Sequence, residues 1–195
     1  MAPQSAFTNI IVTVESALGL LGVAICTGVF FAKASRPISI ILFSKPAVIV
    51  NDEGVRRLKF RVGNMRGNEI VEAEMNLTAV IEIQKAKGKT FRKLYDMDLV
   101  RKTSPLFSLT WTVMHDIDDN SPIFGMNDDD IEERLIVVIC TMMGYDSTFG
   151  HQVHARHLYY PEQIYFERDF EDIMDRDSSG NLRIDYRKFH TTHLV

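Results

Sequence analysis

At 195 residues the chain holds one ordinary domain and a small further element. A composition 46% hydrophobic and 25% charged is that of a globular protein and excludes a disordered one. A formal net charge of −4 without any face-length basic run gives no case for nucleic acid, and the two cysteines, Cys26 and Cys140, each within an apolar stretch, read as buried thiols in a reducing compartment rather than a disulfide framework.

Between positions 10 and 32 the only charged side chain is Glu15. At about 1.5 Å per residue, ~20 residues cross a hydrocarbon core of ~30 Å, so this stretch predicts a transmembrane helix. Ser16, Ala17, Gly19, Gly22, Ala24, Thr27 and Gly28 give it a supply of small residues that let helices approach closely. A lone lipid-facing anchor has no need of them. Lys33 and Arg36 flank the C-terminal end and no Lys or Arg precedes the stretch, which places the following domain in the cytoplasm. Two other readings compete. A signal peptide cleaved near Ala32-Lys33-Ala34 lacks a positive leading region, and its apolar stretch is too long. A soluble core helix is favoured by Asn9, Thr13 and Glu15, which moderate the hydropathy. A carboxylate deep in a bilayer costs roughly 2.5–3.5 kcal/mol, so Glu15 either faces protein or water beside an ion pathway, or lies near the outer interface and snorkels.

The apolar stretch runs straight into the β-rich segment 40–50 with no linker, so a transmembrane helix carries a folded domain directly. Beyond Pro37 the pattern predicts strands over 47–50, 57–62, 70–82, 106–113, 134–143 and 151–159, with turns at 52–54, 63–64, 87–88 and 177–181. Apolar and polar residues nearly alternate over 69–83, as in a strand with one buried face. A short helix over 127–134 is expected, with Asn127 as its N-cap and Asp128, Asp129 and Asp130 favouring its positive end. The architecture read from these elements is a transmembrane α-helix followed by an all-β immunoglobulin-like sandwich.

Sites of ordinary chemistry find little support. Asp175, Asp177, Ser179 and Gly180 fall at EF-hand loop positions one, three, five and six, but Tyr186 stands where a bidentate Glu is required. No nucleophile elbow or zinc-binding helix pair occurs, so no enzyme is expected. His151, His154 and His157 are three apart, and in a strand such neighbours point to opposite faces and cannot converge on a metal. His115, between Trp111 and Asp118, reads as a hydrogen-bonded structural residue.

Several ordered motifs carry a resemblance. Arg61-Val-Gly-Asn64, Ile70-Val-Glu-Ala73, Trp111-Thr-Val-Met-His-Asp-Ile-Asp118, Ser121-Pro122-Ile-Phe124, Gln152-Val-His-Ala-Arg156 and Ile184-Asp-Tyr-Arg-Lys-Phe-His190 follow one another as in the cytoplasmic domain of inward rectifier potassium channels. The chain resembles the prokaryotic, KirBac-type branch over essentially its whole length. The resemblance implies a homotetramer that transports K+, with no cofactor, and brings with it the descriptors inward rectifier and voltage-gated channel. It divides the chain into a post-filter remnant (1–9), an inner helix (10–36) and a cytoplasmic sandwich (37–195).

By the same resemblance Glu15, Val23, Thr27, Gly28 and Phe31 belong to the pore and gate. Gly28 matches the inner-helix glycine, and Phe31 falls where an aromatic ring narrows the bundle crossing and could gate by dewetting. Val23 stands where strong rectifiers carry an acid, which argues against strong voltage-dependent block. In the cytoplasmic pore Glu72 matches an acidic position, while Gln163 is neutral at another. Ile38 and Ser39 replace the basic pair that binds phosphoinositide, so that activation is not carried over. Lys33, Arg36 and Lys45 remain for anionic lipid head groups, at about 1 kcal/mol each near a charged surface. Met1-Ala-Pro-Gln4 resembles the sequence directly after a Thr-x-Gly-Tyr-Gly filter, and neither that filter nor a pore helix or outer helix is present in the 195 residues. A gene model begun at an internal methionine is the expected cause. The rival expectation is a non-conducting, membrane-tethered regulatory or dominant-negative subunit that assembles with full-length subunits.

Overall fold

The computed structural model describes residues 5–34, 41–85, 89–148, 150–176, 180 and 182–195. Met1-Ala-Pro-Gln4, Arg36, Ile38, Ser39, the expected turn at 87–88, and Asp177 and Ser179 of the EF-hand-like run lie outside them. The chain divides into two compact units, one built on the N-terminal helix and one on the strands.

Helix α1 spans Ala6–Ala34, with Lys33 in its last turn. Ser5 starts it: its hydroxyl accepts from the Thr8 N–H at 3.2 Å, satisfying one of the donors that a helix start leaves open. Thr13 returns its hydroxyl to the Asn9 carbonyl at 2.8 Å, so this polar side chain needs no outside partner. Residues Ala6–Lys33 are long and apolar enough to cross a membrane. Cys26, expected to be buried, is exposed on α1.

The second unit opens with β1 (Ile41–Phe43), β2 (Ala47–Asp52), β3 (Val55–Asn64), β4 (Ile70–Lys85), β5 (Lys89–Met97), β6 (Thr103–Phe107) and β7 (Thr110–Asp116). Helix α2 (Asp128–Arg134) follows, then β8 (Leu135–Asp146), β9 (His151–Tyr159), β10 (Ile164–Phe166), β11 (Arg168–Phe170), β12 (Met174–Arg176), β13 (Leu182–Ile184) and β14 (Thr192–Leu194). One five-stranded sheet is built around β3, with β7 on one side and β1 and β2 in succession along the other; β10 pairs parallel to β2. The other has the order β5-β4-β8-β9, with β6 on the first part of β4, and is antiparallel throughout.

The inner faces meet in one core. Leu58, Phe60 and Val62 of β3 and Val113 of β7 belong to the same cluster as Met75, Leu77, Ala79 and Ile81 of β4, Cys140 and Met142 of β8 and Tyr159 of β9. Full burial of each large aliphatic or aromatic side chain stabilises by roughly 1.5–3 kcal/mol. The alternation read over 69–83 is the alternation of these buried residues with Glu74, Asn76, Thr78 and Val80.

Strand β3 is buried on both faces from Leu58 to Asn64, because a C-terminal layer covers its outer side. Lys59 Nζ reaches Asp169 at 3.0 Å and Asp52 at 2.9 Å, and Arg61 donates to the Glu171 carbonyl while stacking on the Phe170 ring at 4.7 Å. Fully buried Phe189 meets β3 at Gly63.

Three sequence readings are corrected. The stretch 106–113 is two strands in different sheets, β6 pairing with β4 and β7 with β3, and the chain crosses between sheets at Ser108-Leu109. Gly63-Asn64 is the end of β3 and not a turn. The glycine lets β3 pass close to the C-terminal layer: a Cβ there would lie 3.1 Å from the Phe189 ring, tighter than most Cβ contacts. Strand β5, rich in Lys and Arg and exposed at its first six positions, has no apolar run to announce it. The short helix is as read: Asn127 Oδ1 accepts from the Asp130 N–H at 2.7 Å, and Asp130 Oδ2 accepts from the Asn127 N–H at 3.2 Å.

Candidate functional site

Glu15, Gly19, Val23, Thr27 and Phe31 are spaced four apart along α1 and form one continuous row, each step rising about 6 Å. Rows of this kind incline by roughly 26° to the helix axis. Gly28, about 100° round from Thr27, flanks the row. All these positions are exposed. The two charged residues of α1 are Glu15 and Lys33, and it contains no arginine. Among the described residues the voltage-gated descriptor finds no support, since a sensor of that kind needs a series of charges within the membrane and α1 carries no such series.

On the sandwich, Glu72 sits at a bulge in β4, where the register against β8 shifts between Val71 and Glu74. Its backbone takes φ 51°, a left-handed conformation that non-glycine residues adopt at a cost of about 1–2 kcal/mol. Glu72 and Glu74 line a groove of about 530 Å³ with Met143, Tyr145 and Gln152. Glu74 is tied down: Lys102 Nζ lies 3.2 Å from its carboxylate and Asn76 donates to it at 3.3 Å, and these hydrogen bonds hold its pKa below the usual range. Sequence reasoning singled out Glu72 and passed over Glu74, although the two-residue spacing was the available signal.

Gln163 has a local task. Its Oε1 accepts from the Tyr160 N–H at 3.1 Å and closes the turn leading into β10. Lys45 is exposed at the corner between β1 and β2, and its N–H donates to His190 Nδ1 at 3.1 Å. Lys33 lies in the last turn of α1, and Arg36 lies outside the described residues.

The histidines do not converge. His151 and His157 share one face of β9 and His154 the other, and among the described residues no group of three His, Cys, Asp or Glu is arranged to hold a metal. His115 is the structural residue expected: its Nδ1 engages the Asp98 carbonyl and its Nε2 the Ser121 hydroxyl at 2.8 Å. Since the carbonyl only accepts, the proton sits on Nδ1 and the serine donates. Burial pushes the His115 pKa down.

Residues 41–195 match the family model of the inward rectifier potassium channel C-terminal domain. Inward rectifier potassium channel Kirbac3.1 of Paramagnetospirillum magnetotacticum is 35% identical over 190 residues, covering 97% of this chain and 64% of that protein. Inward rectifier potassium channel 4 of Homo sapiens is 29% identical over 95% of this chain and 43% of its own length. Inward rectifier potassium channel irk-1 of Caenorhabditis elegans is 28% identical over 95% of this chain and 36% of its own. The chain thus spans between 36% and 64% of the length of these relatives. Among solved structures, the sporulation control protein Spo0M of Bacillus subtilis aligns over 66% of this chain and 49% of its own at 11% identity and a TM-score of 0.32, a likeness from which nothing follows. With the sandwich matched over its whole length and the similarity to Kirbac3.1 running on through α1, the chain belongs to the inward rectifier potassium channel family.

Proposed function

We propose that the chain is a subunit of an inward rectifier-type K+ channel, with α1 as the inner helix and the sandwich as its cytoplasmic extension. The observation that carries this reading is the family match, which covers the sandwich and continues into an apolar helix of membrane-spanning length. Four copies about one axis would set the row from Glu15 to Phe31 around a lower pore, with Phe31 as an apolar constriction. Glu72 from each copy would form a ring that concentrates cations below it, and Gln163 would add no charge. Val23 adds no charge at its place in that row. Lys33, Arg36 and Lys45 are the contacts offered to anionic lipid head groups in a plasma or bacterial inner membrane. K+ is the cargo, and neither cofactor nor catalysis has a role.

A Thr-x-Gly-Tyr-Gly filter is not among these 195 residues, and filter carbonyls are what replace the hydration shell of K+. The alternative reading is a membrane-tethered subunit that assembles with full-length subunits and modulates them. Flux assays on liposomes separate the two. The purified chain alone is expected to give no K+-selective flux; such a flux would overturn the dependence on a filter supplied from elsewhere. Co-purified with a full-length relative, a pore-forming subunit keeps K+ flux and alters it when Phe31→Ala is introduced, whereas a regulatory one suppresses flux in proportion to its share of the complex.

A further inference from the structure

We propose that the His190 imidazole is a proton-sensitive clasp fastening the C-terminal layer of the sandwich to the corner Ser44-Lys45-Pro46. Strands β1 and β2 follow one another along the same edge of β3, and the edge breaks between them, where Pro46 has no N–H to give. Ser44 repairs most of the break. Its N–H donates to the Arg61 carbonyl at 2.8 Å, its hydroxyl donates to the Pro46 carbonyl at 2.8 Å, and the Arg61 N–H donates back to that hydroxyl at 3.0 Å. The next donor in line is the Lys45 N–H, and its acceptor is His190 Nδ1, 145 residues further along the chain.

An imidazole accepts at Nδ1 only when it is neutral with its proton on Nε2; the imidazolium offers two donors and no acceptor. Protonation therefore turns the acceptor into a second N–H facing the first. It also adds a positive charge beside the Lys45 ammonium. The His190 ring is held from behind: it stands edge-on to Phe189 at 5.3 Å, and Phe189 is fully buried and stacked on Tyr186 at 6.0 Å. A change at His190 is thus felt by a side chain rooted in the interface between β3 and the C-terminal layer.

Among the described residues, the charge that acts on the His190 imidazole is that of the Lys45 ammonium. Lys45 faces it from the corner, and Arg187 and Lys188 precede it in the turn Tyr186–Lys188. Three carboxylates of this layer are already engaged, Asp185 with Arg187 at 2.8 Å, Glu171 with Lys188 at 3.9 Å and Asp169 with Lys59 at 3.0 Å. His193 on β14 brings no negative charge. Burial first, and the Lys45 charge second, hold the His190 pKa below its ordinary value. The clasp is accordingly closed at neutral pH and opens as the pH falls below the ordinary histidine range.

Amide hydrogen exchange of the full chain in detergent micelles, expressed as protection factors corrected for intrinsic exchange, reads the clasp directly. Between about pH 8 and about pH 5, protection of the Lys45 amide should fall at least about fivefold while β8 amides keep theirs. In His190→Asn, which keeps an acceptor but does not titrate, protection at Lys45 should hold at both pH values. In His190→Ala it should be low at both. The proposal is overturned if wild-type protection at Lys45 does not change, if His190→Asn loses it as the wild type does, or if β8 loses protection in parallel.

Discussion

The Tyr159 hydroxyl donates to the Ser44 carbonyl at 2.8 Å, a buried hydrogen bond that joins β9 of one sheet to the corner opening the other. Ser44 Oγ lies 3.1 Å from the same hydroxyl, so one phenol serves the residue on which the β1–β2 break is organised. Burial keeps the phenol protonated far above any physiological pH, which preserves it as a donor. Tyr159→Phe leaves the Ser44 carbonyl without this partner and should lower stability by about 1–3 kcal/mol. Urea unfolding followed by the fluorescence of Trp111 would measure the loss, and an unchanged midpoint would mean that water replaces the phenol.

Gly144 on β8 lies against the β4 bulge. A Cβ at this position would fall 2.6 Å from Ile70 Cγ2 and 3.3 Å from both the Ala73 Cα and the Val71 carbonyl oxygen. Ile70 is fully buried and Ala73 is backbone, so neither can give way freely. Gly144→Ala should cost about 1–3 kcal/mol by overpacking. The same unfolding measurement tests it, and Gly150→Ala is not a suitable control because Gly150 has φ +64°.

Glu72 sits in the left-handed region at the head of the groove that it shares with Glu74. Glu72→Gly relieves about 1–2 kcal/mol of backbone strain and forfeits ~0.5–1 kcal/mol through the freer unfolded chain, for a net gain of up to about 1.5 kcal/mol. Glu72→Val, β-branched at the same φ, should instead lose about 1 kcal/mol or more. A domain made more stable by losing an exposed carboxylate would mark Glu72 as kept for its charge. Equal midpoints for the glycine and valine variants would show that the bulge relaxes without it.

Stability should fall on mild acidification. His115 is held neutral by burial, so its folded pKa lies below its unfolded value near 6.5, and the unfolded chain binds the proton first. The stabilisation is complete above about pH 6.5 and is lost as the pH falls from there through the lowered folded value. His157, stacked on Phe43 at 5.2 Å and held down by burial, acts in the same sense. Thermal midpoints measured between about pH 8 and pH 5 should slope downward towards acid, and His115→Asn should flatten part of that slope. A flat wild-type profile would mean that His115 takes up its proton as readily in the folded chain as in the unfolded one.

Sequence alone determined what rests on local pattern. The charge-poor run around Glu15 made α1 legible because ~20 apolar residues in succession have few other uses. Asn127 and the three aspartates marked the start of α2 through capping chemistry that operates within one turn. Residues 70–82 showed their buried face by alternation, and the ordered motifs from Arg61 to His190 carried the family. Tertiary structure decided which strands pair. Residues 106–113 read as one strand, because alternation continues across Ser108-Leu109 while the partner changes from β4 to β3. Gly63 looked like a turn until Phe189, distant in sequence, accounted for it as a packing contact. Lys59 and Arg61 alternate with the core residues Leu58, Phe60 and Val62, yet both are buried, because the C-terminal layer that covers them arrives more than a hundred residues later. Local propensity is written in neighbouring residues, whereas the cover over a strand is supplied by whatever the fold brings back to it.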